Sequence, residues 1–249
     1  MNLNQRIMAD YRLVWFQHLH KAAGTYVIRR AMANGETFWP EHKNGNPAKN
    51  DKMIPIWDYS SEELTEFIDH CQNNNITFVA CEWGTPDFAT LASDPRVVLL
   101  TCLRQPINRL ISNFNYDYYW MWTKVDNYKD YIEQGLIHSS PEYYTRMFSG
   151  GDVDLQKAKE NIALFDIIII AEKNMDLLNS LGWYKESDTT HPTYGDYKRA
   201  AILLVKLRFI RLINYIRKKK FVPSEDLKIE EQNKLDLELY HELKNKISD

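Results

Sequence analysis

Four short apolar runs, at residues 13–16, 76–81, 97–103 and 166–171, set the hydrophobic pattern of this chain. None of them alternates regularly between polar and apolar residues, as a strand with one solvent-facing side does. Such continuous runs are typical of parallel strands that are covered on both faces. Stretches with apolar residues at helical spacing lie between them. The pattern therefore predicts an α/β fold with a central parallel sheet flanked by helices.

The stretches between and after these runs predict helices and one long loop. Residues 34–58 are rich in Asn, Lys, Gly and Pro, which favours a loop over the candidate site. An aromatic segment at 116–122 is more typical of a protein core, although it could wall a ligand pocket. Helices are predicted from near Gly24, from Ser60 or Ser61 to about Cys71, from Pro106 into the aromatic segment, over 155–165, over 197–221 and around 235–240.

Length and composition indicate one domain. At 249 residues, with 44% hydrophobic and 13% aromatic residues, the chain can bury a full core. We expect a single domain over 1–249, in which 197–249 form a carboxyl-terminal helical extension. Three cysteines, two of them in predicted buried strands, indicate a reducing compartment. The amino terminus lacks an apolar segment of signal-peptide length, and no stretch reaches the ~18 apolar residues of a membrane span. These features predict a cytoplasmic protein with no transmembrane segment.

The junction after the first apolar run carries a candidate phosphate site. Its sequence is His18-Leu19-His20-Lys21-Ala22-Ala23-Gly24-Thr25. A strand-to-helix loop directs unpaired backbone N–H groups and the positive helix end at one point, where a phosphate can bind. Lys21 adds a charge and Thr25 a hydroxyl donor. The glycines of GxxxxGK[ST] are missing before Lys21, and an ordinary helix start with a solvated lysine is the alternative.

The junction after the third apolar run carries a second set of cationic and hydroxyl groups. Arg104 is expected at the carboxyl end of the strand, and Pro106 suits the first turn of the next helix. Arg109 and Ser112 share a helix face, although Arg109 could instead form a salt bridge to a neighbouring helix. Ligands of open α/β sheets bind outside the carboxyl ends of the strands. Both junctions are therefore expected to open to one crevice and to suit a nucleotide with phosphate at two positions.

These junctions resemble the two cofactor motifs of sulfotransferases that use 3′-phosphoadenosine 5′-phosphosulfate (PAPS). The loop Lys21-Ala22-Ala23-Gly24-Thr25 is similar to the Lys-Thr-Ala-Ser-Thr loop of the carbohydrate, uronosyl 2-O-type branch. The segment Arg104-x-Pro106-x-x-Arg109-x-x-Ser112 resembles the second motif with its spacing intact. The resemblance covers the carboxyl-terminal part poorly. It implies a P-loop-type three-layer fold and transfer of a sulfuryl group to an acceptor hydroxyl.

The resemblance also implies residue roles. Lys21 is expected to contact the 5′-phosphosulfate and to stabilise charge on the bridging oxygen as sulfuryl leaves, while Arg104 and Ser112 hold the 3′-phosphate. Sulfuryl transfer needs in-line positioning and charge stabilisation, so PAPS is expected as co-substrate without a metal ion. The expected cofactor-binding residues are Lys21, Ala22, Ala23, Gly24, Thr25, Arg104, Arg109 and Ser112.

Proton removal from the acceptor requires a base within hydrogen-bond reach. Glu82 follows the second apolar run, where the resembling branch has a histidine. This is a departure, and Glu82 can act as the base if partial burial beside Trp83 or Phe88 raises its pKa. An ordinary surface carboxylate is the alternative. His20 is expected to shape the loop or to touch the acceptor. After Glu82, the candidate bases are His20, His18 and Asp87.

Charge bears on the acceptor. The formal net charge is −3, and several acidic residues lie in segments expected around the mouth of the site: Glu36, Glu41, Asp51, Asp58, Glu82 and Asp87. Binding of a polyanion requires a broad basic cleft. We therefore expect a small neutral or cationic acceptor, such as a hydroxylated natural product or an alkaloid, rather than a sulfated polysaccharide. A carbohydrate acceptor stays as an alternative, and no nucleic acid partner is expected.

The helical pattern over 197–221 carries nine Lys and Arg residues among Ile, Leu and Val. It is compatible with contact to an anionic acceptor or with attachment to a membrane surface. An amphipathic helix packed on the domain, with a solvated basic face, is the favoured interpretation.

Two other classes of function stay open. A nucleotide kinase shares the phosphate loop but requires the full glycine motif and an Asp for Mg²⁺ at a strand end, where this chain has Leu103-Arg104. A non-catalytic nucleotide-binding or scaffold protein would keep Arg104 and Ser112 without a competent base. The sequence makes no prediction of the oligomeric state.

Overall fold

The structure is a computed structural model that describes residues 3–7, 10–187 and 196–246. Its strands are β1 (Leu13–Gln17), β2 (Glu41–Lys43), β3 (Asn46–Lys49), β4 (Lys52–Met53), β5 (Phe78–Cys81), β6 (Val97–Leu103) and β7 (Ile167–Ile170). Its helices are α1 (Leu3–Ile7), α2 (Gly24–Ala33), α3 (Ser61–Asn73), α4 (Phe88–Ser93), α5 (Pro106–Trp120), α6 (Tyr128–Glu133), α7 (Tyr143–Ser149), α8 (Leu155–Ile162), α9 (Tyr197–Val205), α10 (Phe209–Ile216), α11 (Ile229–Gln232) and α12 (Lys234–Lys246). Short 3₁₀ turns cover Ile56–Asp58, Ile137–Ser139, Met175–Leu181 and Glu225–Leu227.

A parallel sheet with the order β5-β1-β6-β7 forms the centre of the fold. Trp15 of β1 lies opposite Val79 of β5 on one side and Leu99 of β6 on the other. The sheet confirms the α/β prediction and the four predicted strands. Because all four strands run in parallel, their carboxyl ends meet at one edge, where the loops after β1, β5 and β6 can form a site.

Helices cover both faces of this sheet. Leu13 and Trp15 of β1 belong to a core that also contains apolar residues of α3, α4, α7, α8 and α12. Val14 and Phe16 belong to the opposite core, which contains residues of α2 and the turn at Met175–Leu181. Successive side chains of a strand point to opposite faces, so a strand buried on both sides reads as one continuous apolar run. The result is a three-layer α/β fold, with further helices at the carboxyl-terminal end.

Two helix starts follow directly from local sequence. The Ser60 side chain accepts a hydrogen bond from the Glu63 N–H, and the Glu63 carboxylate accepts one from the Ser60 N–H, which is a reciprocal capping box. Pro106 begins α5, and the Gln105 side chain accepts a hydrogen bond from the Asn108 N–H. Both predicted starts are confirmed.

The segment predicted as a long loop at 34–58 contains instead a three-stranded antiparallel sheet, β2-β3-β4. The sequence predicted that this segment lies at the candidate site, but it did not predict that the segment forms strands. Asn46, fully buried at the start of β3, accepts hydrogen bonds through Oδ1 from the N–H groups of Glu82 and Trp83. The small sheet is therefore anchored at the carboxyl end of β5, beside the candidate site.

The single helix predicted over 197–221 is two helices, α9 and α10. Leu207, between them, has a φ of 53°, a left-handed conformation that ends the first helix. The last helix, α12, packs against α7: buried Asp236 accepts hydrogen bonds from the N–H groups of Tyr144 and Thr145. Among the described residues, no helix has the length and apolar character needed to cross a membrane.

The aromatic segment at 116–122 divides between two roles. Tyr118 and Tyr119 are buried in a core shared by α5, α6, α10 and α11. Tyr116 and Trp122 line a cavity at the candidate site. The α5 helix thus supplies core residues and, through Tyr116, part of the pocket wall, because its residues at helical spacing face different neighbours, and Trp122 follows just after the helix.

Candidate active site

A cavity of ≈ 670 Å³ lies at the carboxyl ends of β1 and β5. Volumes of about 300–1,000 Å³ are usual for sites that bind small molecules. Its lining combines titratable and aromatic side chains, including His20, Glu82, Trp83, Tyr116, Asp117 and Trp122. The fold thus brings together two of the sequence-predicted residues, His20 and Glu82, with aromatic residues of the segment at 116–122 and with Asp117, which the sequence left unassigned.

His20 and Glu82 form a close pair. His20 Nδ1 lies 2.5 Å from Glu82 Oε1, and His18 Nδ1 lies 3.5 Å from Glu82 Oε2. Burial of Glu82 acts to raise its pKa, but electrostatic interactions with His18, His20 and His138 and the hydrogen bond from His20 outweigh burial and lower the pKa to about 2. The carboxylate is therefore ionised at neutral pH.

This result corrects the expectation that burial raises the pKa of Glu82. An ionised carboxylate can only accept hydrogen bonds, so Nδ1 of His20 carries the hydrogen. In neutral His20, the basic lone pair is then on Nε2. The pair has the arrangement in which a carboxylate orients a histidine base, as in catalytic triads.

His138 completes the histidine cluster and was not predicted. Its ring stacks on the His20 ring, with centroids 4.3 Å apart and planes at 16°. Burial, followed by the neighbouring charge of His20, lowers the pKa of His138 to about 3, so it is neutral. It lies in the turn at Ile137–Ser139, outside the motifs, and only the folding of that turn onto α5 brings it to His20. A neutral ring at this place limits the orientations open to His20.

Lys21 follows His20 in the chain and is half-buried in the loop before α2. Its Nζ is 3.9 Å from the centroid of the Tyr116 ring. Burial lowers the pKa of Lys21 to about 8, against the opposing effect of Asp117 and with the help of Arg104. Lys21 is therefore charged at neutral pH, and a bound anion would stabilise its charged form.

The remainder of the loop is only partly as predicted. Thr25 is exposed at the start of α2, where the first N–H groups of a helix lack intrahelical partners. Ala22 is buried, and its N–H already donates to the Leu19 carbonyl. Ala22 therefore shapes the loop and does not offer its amide to a phosphate. Ala23 has a φ of 68°, a left-handed conformation that turns the chain into α2.

Gly24 has a steric role that the sequence did not reveal. A Cβ atom at this position would lie 1.8 Å from Nε2 of His18. The His18 ring also stacks on Phe16, with centroids 5.4 Å apart, and its burial lowers its pKa. Glycine at position 24 thus makes room for the ring that contacts Glu82.

We expect Gly24→Ala to destabilise the protein by about 1–3 kcal/mol, because the added methyl group overpacks the space of the His18 ring. Thermal unfolding measures the change. Combining it with His18→Ala should recover part of the loss, since the second change removes the clashing ring. Equal destabilisation in the presence and absence of His18 would contradict this account of Gly24.

The residues of the second predicted phosphate site differ in their exposure: Arg104 and Ser112 are partly exposed, whereas Arg109 is buried. Arg104 follows β6, is half-exposed, and makes a long contact of 3.8 Å to Glu172. Ser112 is half-buried on α5. Arg109, in contrast, is 1% exposed. Its guanidinium lies 4.2 Å from the Tyr143 ring centroid and donates to the His138 carbonyl at 3.0 Å. Arg109 thus holds the histidine-bearing turn, which differs from both predicted roles, cofactor contact and salt bridge.

The acidic residues expected around the mouth of the site lie at different places in the structure. Glu82 lines the cavity, whereas Asp58 lines a second cavity of ≈ 510 Å³. Asp87, a candidate base in the sequence, caps α4 by accepting from the N–H groups of Ala89 and Thr90. Asp117 was not anticipated: it lines the first cavity, accepts a hydrogen bond from the Tyr131 hydroxyl, and burial raises its pKa.

In the part of the chain that the structure describes, no group of three or more His, Cys, Asp or Glu residues could hold a metal ion. A scan of family models matches no family, and a search of curated proteins finds no significant relative.

Proposed function

We propose that the protein is a PAPS-dependent sulfotransferase that acts on a hydroxyl group of a small polar molecule. The proposal rests chiefly on one observation: an oriented histidine, His20, adjoins Lys21 in the loop after β1 and lines a cavity of ≈ 670 Å³. A base and a cation side by side are what transfer of an anionic group to a hydroxyl requires.

In this reaction His20 is the base and Glu82 positions it. Nε2 of His20 takes the proton of the acceptor hydroxyl while the acceptor oxygen forms a bond to sulfur. The bond between sulfur and the bridging phosphate oxygen breaks, and its electron pair stays on that oxygen. Lys21 stabilises the charge there. The ionised Glu82 stabilises the imidazolium that forms on His20. The low pKa of Glu82 keeps the carboxylate ionised for this role.

The residues present suit a donor with two separate phosphate groups. The start of α2 and Lys21 offer donors and positive charge for the 5′-phosphosulfate. Arg104, whose charge also acts on Lys21, is half-exposed and only weakly engaged by Glu172, so it can bind a 3′-phosphate. Ser112 lies on the helix that follows Arg104. Arg109 is assigned a supporting role here.

The cavity favours a small acceptor. Trp83, Tyr116 and Trp122 give it aromatic walls, and Asp117 and Glu82 supply carboxyl groups. Aromatic faces and carboxylates suit an acceptor that is neutral or cationic better than a polyanionic saccharide, which requires many Lys and Arg contacts.

Calorimetric titration tests the donor assignment. The ligands are 3′-phosphoadenosine 5′-phosphate, 5′-AMP and ATP, without magnesium, and the variants are Arg104→Ala and, as a matched control at an exposed cation in β3, Lys49→Ala. We expect preferential binding of the bisphosphate, lost in Arg104→Ala and kept in Lys49→Ala. Preference for ATP would favour a kinase-like protein. Binding without turnover across an acceptor screen would favour a non-catalytic nucleotide-binding protein.

The affinity for the bisphosphate should depend on the charge of Lys21. Because burial lowers its pKa to about 8, Lys21 is charged below that pH and loses its proton as the pH rises through it. We expect affinity to be nearly constant up to about pH 7, to begin to fall as the pH approaches 8, and to fall above pH 8 by at most about tenfold per pH unit. Titrations of Lys21→Ala at the same pH values should show a weaker dependence; an unchanged slope would assign the effect to another group.

A further inference from the structure

The helix pair α9–α10 leaves a large apolar surface uncovered. Val205 is 80% exposed, Ile210 is 75% exposed and Ile216 is 66% exposed. We call this the α9–α10 surface, and define it by Val205, Leu207, Phe209, Ile210, Ile213 and Ile216. Monomeric proteins rarely expose contiguous apolar patches of this kind without a function for them. The α10 helix packs on the domain and exposes basic residues, as the favoured sequence interpretation predicts, but it also exposes apolar residues, which that interpretation did not predict.

The pair is held on the domain by its opposite side. Arg211 of α10 donates to the Tyr118 and Thr123 carbonyls, at 2.8 and 2.9 Å. Arg199 of α9 lies over the Trp120 ring, 3.5 Å from its centroid. Leu203 and Tyr215 are buried in the core shared with α5. Since these contacts fix the inner side, the apolar outer side is a built feature of the folded domain.

Positive charge surrounds this outer side. Residues 196–222 contain nine Lys and Arg residues and one acidic residue, Asp196, in a chain whose formal net charge is −3. With Arg199 and Arg211 turned inward, exposed cations remain around the apolar surface, among them Lys206, Arg208, Arg217, Lys218 and Lys220. Apolar side chains rimmed by Lys and Arg are the composition of helices that lie in a membrane interface.

We propose that the α9–α10 surface docks on an anionic lipid bilayer, with its apolar side chains among the acyl chains and its cations at the headgroups. A second copy of the chain fits less well, since a symmetric dimer would place two equally basic rims against each other. A nucleic acid would engage the cations but leave the apolar side chains in water. This inference is independent of the proposed sulfotransferase activity.

Vesicle sedimentation of the full chain tests the proposal, with vesicles of phosphatidylcholine alone and with added phosphatidylglycerol. We expect binding to the anionic vesicles and a loss of binding at high salt. The variant Val205→Ser/Ile210→Ser/Ile216→Ser should bind at least about tenfold more weakly, because it removes apolar surface from the contact. Lys206→Glu/Lys218→Glu/Lys220→Glu should weaken binding by at least about tenfold as well.

Matched controls use side chains of the same kind elsewhere on the surface. Val153→Ser/Leu177→Ser and Lys49→Glu/Lys52→Glu should bind as the parent chain does. A second, independent measurement attaches an environment-sensitive fluorophore to the new cysteine of Ile210→Cys. The three native cysteines are buried, so the label reacts at position 210. Its emission should shift to the blue with anionic vesicles, and that of Val153→Cys should not.

Three outcomes would overturn the proposal. The first is no binding to anionic vesicles together with no fluorescence shift at position 210. The second is binding that the serine and glutamate variants leave unchanged. The third is a dimer in solution that the triple serine variant converts to a monomer, which would show that a second copy covers this surface.

Discussion

Lys21→Ala is expected to lower kcat by about a hundred- to a thousandfold, while the affinity for 3′-phosphoadenosine 5′-phosphate falls much less. Removal of one group that stabilises charge on a leaving oxygen typically costs this much, because the interaction is strongest in the transition state. In the proposed complex the nucleotide would keep the contacts assigned to Arg104 and to the start of α2. Steady-state rates with a responsive acceptor and calorimetric affinities measure the two effects separately.

Lys49→Ala is the matched control, since it removes an exposed lysine from β3. It should change neither quantity. Thermal unfolding should show that Lys21→Ala is folded, because Lys21 is partly desolvated in the parent and its removal relieves that cost. Parallel losses of kcat and of affinity by the same factor would instead mean that Lys21 only binds the nucleotide.

His20→Ala is expected to lower kcat by about a hundred- to ten-thousandfold, the usual contribution of a general base. Glu82→Gln should cost less than His20→Ala. Its amide can hold His20 in place but cannot stabilise the imidazolium, and it no longer dictates which ring nitrogen carries the hydrogen. Nucleotide affinity should be close to that of the parent in both variants, because neither residue is assigned to the phosphates.

The ranking of these two variants separates two mechanisms. If Glu82 is itself the base, as the sequence suggested, Glu82→Gln should be at least as damaging as His20→Ala. The low pKa of Glu82 argues against that order, since a carboxyl with a pKa of about 2 is a weak base. His70→Ala, at a histidine near the end of α3, is the control and should leave kcat unchanged.

Much of the framework could be predicted because it depends on local sequence. The run at 97–103 coincides with β6, since a strand buried on both faces needs an apolar residue at every position. Ser60 and Pro106 predicted helix starts because capping and the fixed φ of proline act over a few residues. The three-layer arrangement follows from alternation of strands and helices.

The errors concern features that depend on distant contacts. The small sheet β2-β3-β4 is held at β5 by Asn46, and no short-range pattern marks that contact. The resemblance placed Arg109 among the cofactor-binding residues, but Tyr143 and the His138 carbonyl engage it inside the protein. The exposed apolar side of α10 also escaped prediction, because a helical pattern does not reveal which of its faces finds a neighbour.

The sequence by itself determined the four strands of the central sheet, the helix starts at Ser60 and Pro106, and two cation-bearing junctions at the carboxyl edge of that sheet. Periodicity and capping are local, so one chain segment contains the information. The tertiary structure decided which side chains act together. His20, Glu82 and His138 come from three separate segments, and the charge state of Glu82 depends on the histidines that folding brings around it. A pKa is a property of the surroundings, and only the folded chain creates them.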